Sequence, residues 1–161
     1  MFGVGCWMFL LMTAPLPSDL ESAVATGDLS TVLGAALTHF GCQAGTIHLL
    51  RDGVLKLAAQ KNIPPPVQQI VDTVPIGKGI AGLAAQRLEP ITICNLQTDT
   101  SGQAKPGAKA TGMEGSVAVP MLAEGKLRGV IGIAKANAYD WQKEETDLLT
   151  RVAGALASRL P

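Results

Sequence analysis

The groups able to do chemistry are few. Three cysteines (Cys6, Cys42 and Cys94) and two histidines (His39 and His48) are spread widely along the chain. No Cys-x-x-Cys spacing occurs, and neither histidine adjoins a cysteine pair. The spacing argues against a zinc site and against a secreted disulfide framework. Reduced thiols in a cytoplasmic protein fit it best. No serine or cysteine motif offers an activated nucleophile. Glu144, Glu145 and Asp147 cluster at the start of a helical pattern, where carboxylates complement the helix dipole. No catalytic set, metal or cofactor is expected.

Gly77, Gly79 and Gly82 spell GxGxxG. A dinucleotide site uses that spacing to bring backbone against a pyrophosphate at a helix N-terminus, directly after a parallel strand. Here it follows a proline break and a short helix, in a chain whose strands pair as hairpins. The structural use is preferred: Gly79 and Gly82 permit a tight turn and close helix packing. His48 alternates with Ile47 and Leu49, so it faces the other side of its strand. It is either a satisfied structural residue or a polar donor in a pocket.

These residues must be positioned by one folded domain. With 161 residues, 47% hydrophobic and 16% charged, the chain can bury a core and is not disordered. Lys+Arg 13 balances Asp+Glu 13, which excludes the basic excess of a nucleic-acid binder. Phe2, Trp7 and Phe9 crowd the first nine positions; only Phe40, Tyr139 and Trp141 remain to stack a base or tetrapyrrole. Residues 1–12 are apolar but too short for a membrane helix, and they lack the basic start of a secretory signal. Residues 1–17 read as an apolar extension. It is either a start-site artefact, with Met12 the natural start, or an arm that docks on a partner; the first is preferred. Residues 18–160 form the domain. No membrane association is expected.

The element pattern follows from local signals. A short helix begins at Ser18. Leu29, Val32, Leu33, Ala36, Leu37 and Phe40 form one helical stripe, with Asp28 as N-cap and Gly41 as stop. Strands at 46–51 and 54–60 flank Asp52-Gly53, a strong hairpin turn. Prolines 64–66 open a short helix at 67–71, and another is expected at 83–87. A strand at 91–94 leads into a long polar loop, 95–115, of the kind that is functional or mobile. It is expected to bury little apolar area, which would let it act as a lid. Strands at 116–122 and 127–135 form a second hairpin. Asp140 is expected to cap a last helix striped by Leu148, Val152, Leu156 and Leu160, widened by Leu149 and Ala153. That width predicts a homodimer through the first and last helices.

The run Val74-Pro75-Ile76-Gly77-Lys78-Gly79-Ile80-Ala81-Gly82 resembles the proline-glycine turn of GAF domains. Ser116-Val117-Ala118-Val119-Pro120-Met121 and Gly125-Lys126-Leu127-Arg128-Gly129-Val130-Ile131-Gly132-Ile133 resemble the family's central hairpin. The resemblance implies an α+β, GAF/PAS-like antiparallel sheet of five or six strands. Helices from both chain ends would cover one face. Short helices and the long loop would enclose a small-molecule pocket on the other. It implies a sensory or regulatory role. The Asn-Lys…Phe…Asp-Glu signature of cyclic-nucleotide binders and the cysteine-histidine pair of bilin attachment are missing.

One branch, the free methionine-(R)-sulfoxide reductases, is catalytic, and its chemistry needs a thiolate and a resolving thiol. The resemblance places that branch's cysteines at Ala81, near Val71 and in the long loop, and its carboxylates at Ser116, Gly132 and Ala134. None is present here. The expected site is therefore a ligand pocket on the sheet face carrying His48, Ser116, Ala118, Gly132 and Ala134, with Thr111 and Lys109 reaching in from the loop. Lys105 and Lys109 bias the ligand towards a small anion; the plain alternative is solvated loop charge. The rival functions are a thiol-dependent redox enzyme of the reductase type using Cys94, and a structural dimerisation module with a collapsed pocket.

Overall fold

The computed structural model describes residues 15–161, so the expectations about residues 1–14 lie outside the described residues. Six strands form one sheet in the order β3-β2-β1-β6-β5-β4, every neighbouring pair antiparallel. They are β1 (Ala44–Arg51), β2 (Val54–Lys61), β3 (Thr73–Pro75), β4 (Ile91–Ile93), β5 (Ser116–Ala123) and β6 (Lys126–Ala134). The helices are α1 (Ser18–Thr26), α2 (Leu29–Phe40), α3 (Pro65–Val71), α4 (Gly79–Arg87), α5 (Pro106–Lys109) and α6 (Lys143–Ala157). The α+β fold is the one the sequence implied.

Local chemistry explains the boundaries. The Asp28 carboxylate accepts the Thr31 N–H at 2.9 Å, and Gly41 closes α2 in the left-handed region, at φ +66°. Asp52 and Gly53 both take positive φ, as a two-residue hairpin turn of this hand requires. At α6 the expectation is corrected. The N-cap is Gln142, not Asp140, because the Glu145 carboxylate reaches back to the Gln142 N–H at 3.1 Å. The three-residue edge strand β3 was not foreseen. It is too short for periodicity to reveal, and its proline is tolerated only because the strand lies at the edge.

The main core lies between the sheet and helices α1, α2 and α6. Leu20, Val32, Leu33, Ile47, Val119, Ile131 and Leu156 are all buried in it. Gly45 lets α2 approach, since a Cβ there would sit 2.9 Å from the Leu33 side chain and from the Gly132 carbonyl. The α6 stripe is largely covered within the chain: Leu149, Val152, Ala153 and Leu156 are buried and Leu148 partly so, while Leu160, expected on the stripe, lies beyond the helix, which ends at Ala157. The opposite face carries three smaller clusters, centred on Leu55, on Ile63 and Val67, and on Ile93 and Leu96.

Segment 95–115 departs from its expectation. It contains α5, and it buries Leu96 and Ala104 against Ile93. Polar side chains tie it together: Gln97 Nε2 donates to the Lys109 and Met113 carbonyls at 3.0 and 2.7 Å.

Candidate functional site

A cavity of about 260 Å³ opens on the sheet face away from the terminal helices. Its floor is made by alternate residues of three adjacent strands: Thr46 and His48 on β1, Ser116 and Ala118 on β5, Gly132 and Ala134 on β6. Small side chains at these positions leave the volume. The same strands turn Ile47, Val117, Val119, Ile131 and Ile133 into the main core, as period-two alternation demands. The walls come from α3, the start of α4 and segment 95–115, through apolar residues such as Val67, Ile80, Leu96 and Met113.

The glycine-rich turn shapes one wall. Gly77 and Gly79 take φ +89° and +68°, a conformation that glycine adopts freely. A Cβ on Gly82 would lie 2.5 Å from the Pro75 carbonyl oxygen, so glycine is needed for α4 to pack on β3. This is the structural use expected of the motif. The turn also sets Lys78, Gly79, Ile80 and Ala81 on the cavity wall.

His48 is 2% exposed, the most buried of the polar residues here. Its Nε2 donates to the Val71 carbonyl oxygen at 2.8 Å, while Nδ1 is buried without a partner among the described residues. Burial holds its pKa below the ordinary value, opposed by the Val71 hydrogen bond and the charge of Asp72. The ring is therefore neutral near pH 7, and its only proton is already used. The expectation that His48 donates to a ligand is corrected by this arrangement. A bulge in the β1–β2 register between Ile47 and His48 lies at the same place, where such irregularities re-aim side chains. Gly129 faces this point, and a Cβ there would collide with the His48 carbonyl.

The other expected residues divide. Ser116, Ala118, Gly132, Ala134 and Thr111 line the cavity. The Thr111 hydroxyl already donates to the Ala108 carbonyl at 2.6 Å. Lys109 does not line the cavity; its ammonium donates to the Asp99 carbonyl at 3.2 Å, within the loop. The cations on the wall are Lys105, a loop lysine not named among the expected site residues, and Lys78, which the loop-based reading missed. Its place next to Gly79 in the glycine turn was the available signal. Among the described residues no Asp or Glu lines the cavity.

Neither described cysteine lines the cavity. Cys94 is exposed. Burial pushes the Cys42 thiol up to about 12, with Lys135 opposing and Glu145 adding to the shift. The side chains of Ala81, where the reductase resemblance places one cysteine, and of Val71, near which it places another, bring only hydrocarbon to the wall.

An antiparallel sheet with helices on one face and a ligand-sized cavity on the other defines an α+β domain of the GAF type. A family model described as "GAF domain" matches residues 28–160, and the chain belongs to that family. Among solved structures it is similar to the GAF domain of an Acinetobacter phosphoenolpyruvate-protein phosphotransferase, at TM-score 0.73 and 18% identity over 88% of this chain and 89% of that one. It is similar to a free methionine-R-sulfoxide reductase from Neisseria meningitidis, solved with its substrate, at TM-score 0.70 and 18% identity over 87% and 83%. It is also similar to a domain of a sensor histidine kinase protein from Sinorhizobium meliloti 1021, at TM-score 0.63 and 18% identity over 88% and 90%. Identities this low establish a common fold. No curated protein matches the sequence. Among the described residues no helix is long and apolar enough to cross a membrane.

Proposed function

We propose that this chain is a small-molecule-binding sensory or regulatory GAF domain that acts in the cytoplasm and signals through a homodimer. The cavity carries the reading. It combines a largely apolar wall with a few polar groups, the composition of a small-molecule site. Its place on the face left free by the terminal helices lets a ligand alter the sheet while those helices contact a second copy. Leu148 on α6 and Leu160, which follows the end of that helix at Ala157, are partly buried and are the apolar surface offered to that copy. Native mass spectrometry of freshly purified protein tests the reading, with a bound small molecule as the expected result. An empty chain whose melting is unmoved by a metabolite library would leave the structural dimerisation module. A monomer mass in the analytical ultracentrifuge at about 100 μM would remove the dimer.

A second reading, a methionine sulfoxide reductase, draws on the likeness to the Neisseria enzyme. The thiols weigh against it. Reduction of a sulfoxide needs a thiolate at the substrate, and among the described residues no cysteine lines the cavity. No turnover of free methionine-(R)-sulfoxide is expected with a thiol regenerating system. Turnover that disappears in Cys94→Ser would establish the enzyme instead.

A further inference from the structure

Two rows of residues pave the cavity floor. Thr46, Gly132 and Ala118 lie side by side across β1, β6 and β5, and Ala44, Ala134 and Ser116 form the next row. All three strands are interior to the sheet, so ladder pairing occupies their backbone N–H and C=O groups. The hydrogen-bonding capacity of the floor therefore rests with side chains. His48 is closed to an occupant, because its Nε2 is committed to Val71 and its Nδ1 is buried. On the walls, the Thr111 hydroxyl donates to the Ala108 carbonyl and the Thr73 hydroxyl to the Asp72 carboxylate. The hydroxyls of Thr46 and Ser116 remain, and neither makes a hydrogen bond among the described residues.

Thr46 is the better placed of the two. It is half-buried, whereas Ser116 is only 9% exposed. Its Oγ1 lies 3.7 Å from the point a Cβ on Gly132 would occupy, which puts the hydroxyl over the middle strand of the floor. The surroundings are hydrocarbon, from residues such as Ile63, Val67, Ile80 and Leu96. Among the described residues no carboxylate, phenyl ring or indole lines the cavity. Both of its lysines, Lys78 and Lys105, are exposed to solvent. A charge carried to the floor would lose its water without gaining a buried counter-charge, which is costly.

We infer that the cavity takes an uncharged aliphatic molecule whose polar group, a carbonyl or hydroxyl oxygen, is bound by the Thr46 hydroxyl above Gly132. At about 30 Å³ per water-sized group, a cavity of 260 Å³ has room for roughly nine non-hydrogen atoms. Ketones and alcohols with a short hydrocarbon chain have this chemistry and this size. The inference rests on the cavity being the ligand site.

The test uses the full chain and three probes of one chain length and different charge: 2-heptanone, heptanoate and heptylammonium. Affinities come from NMR titration with nitrogen-labelled protein. The ketone is expected to bind about tenfold tighter than either ion, and to shift the Thr46, Ala118 and Gly132 amides. Thr46→Val keeps the shape of the side chain and removes its hydroxyl. It should weaken the ketone about fivefold, the worth of one hydrogen bond. If that variant does not fold, Gly132→Ala replaces it, since its methyl fills the space beneath the hydroxyl and should weaken the ketone by a similar factor. Either ion binding as tightly as the ketone, undiminished ketone affinity in the variant, or no binding of the ketone up to about 10 mM overturns the inference. A charged or aromatic molecule found bound by native mass spectrometry also overturns it, yet leaves the sensor reading standing. A chain that binds no small molecule at all overturns both.

Discussion

On the helix-covered face, β5 and β6 present Val117, Val119, Met121, Ile131 and Ile133, all buried in one continuous core. On the other face the same two strands present Ser116, Ala118, Gly132 and Ala134, around a cavity. Neither set carries a charge, because both faces are covered, and side-chain volume is what shapes the difference between them. Large residues on one face fill the space under three helices, and small ones on the other leave space for a ligand. The strands thus serve as a rigid partition, held by the packed side and shaped by the open one.

The comparison predicts unequal responses to substitution. The largest effect is expected on the packed face. Ile131→Ala should cost about 2–5 kcal/mol in urea unfolding, because a cavity opens in a filled core. A loss within about 0.5 kcal/mol would mean that this face is not the stabilising one.

Two glycines on β6 come next. Gly129→Ala drives a methyl into the His48 carbonyl and should cost about 1–3 kcal/mol. Gly132→Ala meets the Thr46 hydroxyl at 3.7 Å, an ordinary contact, and should change stability by no more than about 0.5 kcal/mol. Equal costs in thermal melts would break the distinction.

The titration of His48 gives a smaller effect. Its folded pKa lies below the ordinary 6.5, so the unfolded chain takes up a proton first as pH falls. The stability is complete above 6.5 and declines as pH drops through it, at a slope of no more than about 1.4 kcal/mol per pH unit. The charge of Asp72 moderates the decline. The melting temperature should fall between pH 7.5 and pH 5.5, and fall less in His48→Gln. Parallel curves for the two proteins would contradict a neutral, buried ring.

The smallest effect on stability is expected at Ala134→Val. The added methyls point into open volume, so unfolding should shift by no more than about 0.5 kcal/mol. Occupancy of the cavity, read by native mass spectrometry, should nevertheless drop. A large loss of stability would show that the open face is packed after all.

Much of this architecture was legible from neighbouring residues. Asp28 and Gly41 bound α2 as their capping chemistry requires, and Asp52-Gly53 turns the first hairpin. Alternation at 116–119 and 130–134 assigns Ser116, Ala118, Gly132 and Ala134 to a common face. Such signals depend on residues a few positions apart, and sequence spacing carries them. The hydrogen-bonding role of His48 was not legible. Its partner, Val71, lies 23 residues away on another element, and that one contact decides which ring nitrogen keeps a lone pair. Nor could spacing separate Lys109 from Lys105. Both are loop lysines, but one is drawn to the Asp99 carbonyl and the other stands on the cavity wall. The sequence determined the elements, their faces and the presence of an open side, because backbone propensity and side-chain volume are local properties. The tertiary structure alone decided which polar groups meet that opening and with what polarity, because donors and acceptors acquire their roles only from partners brought together by the fold.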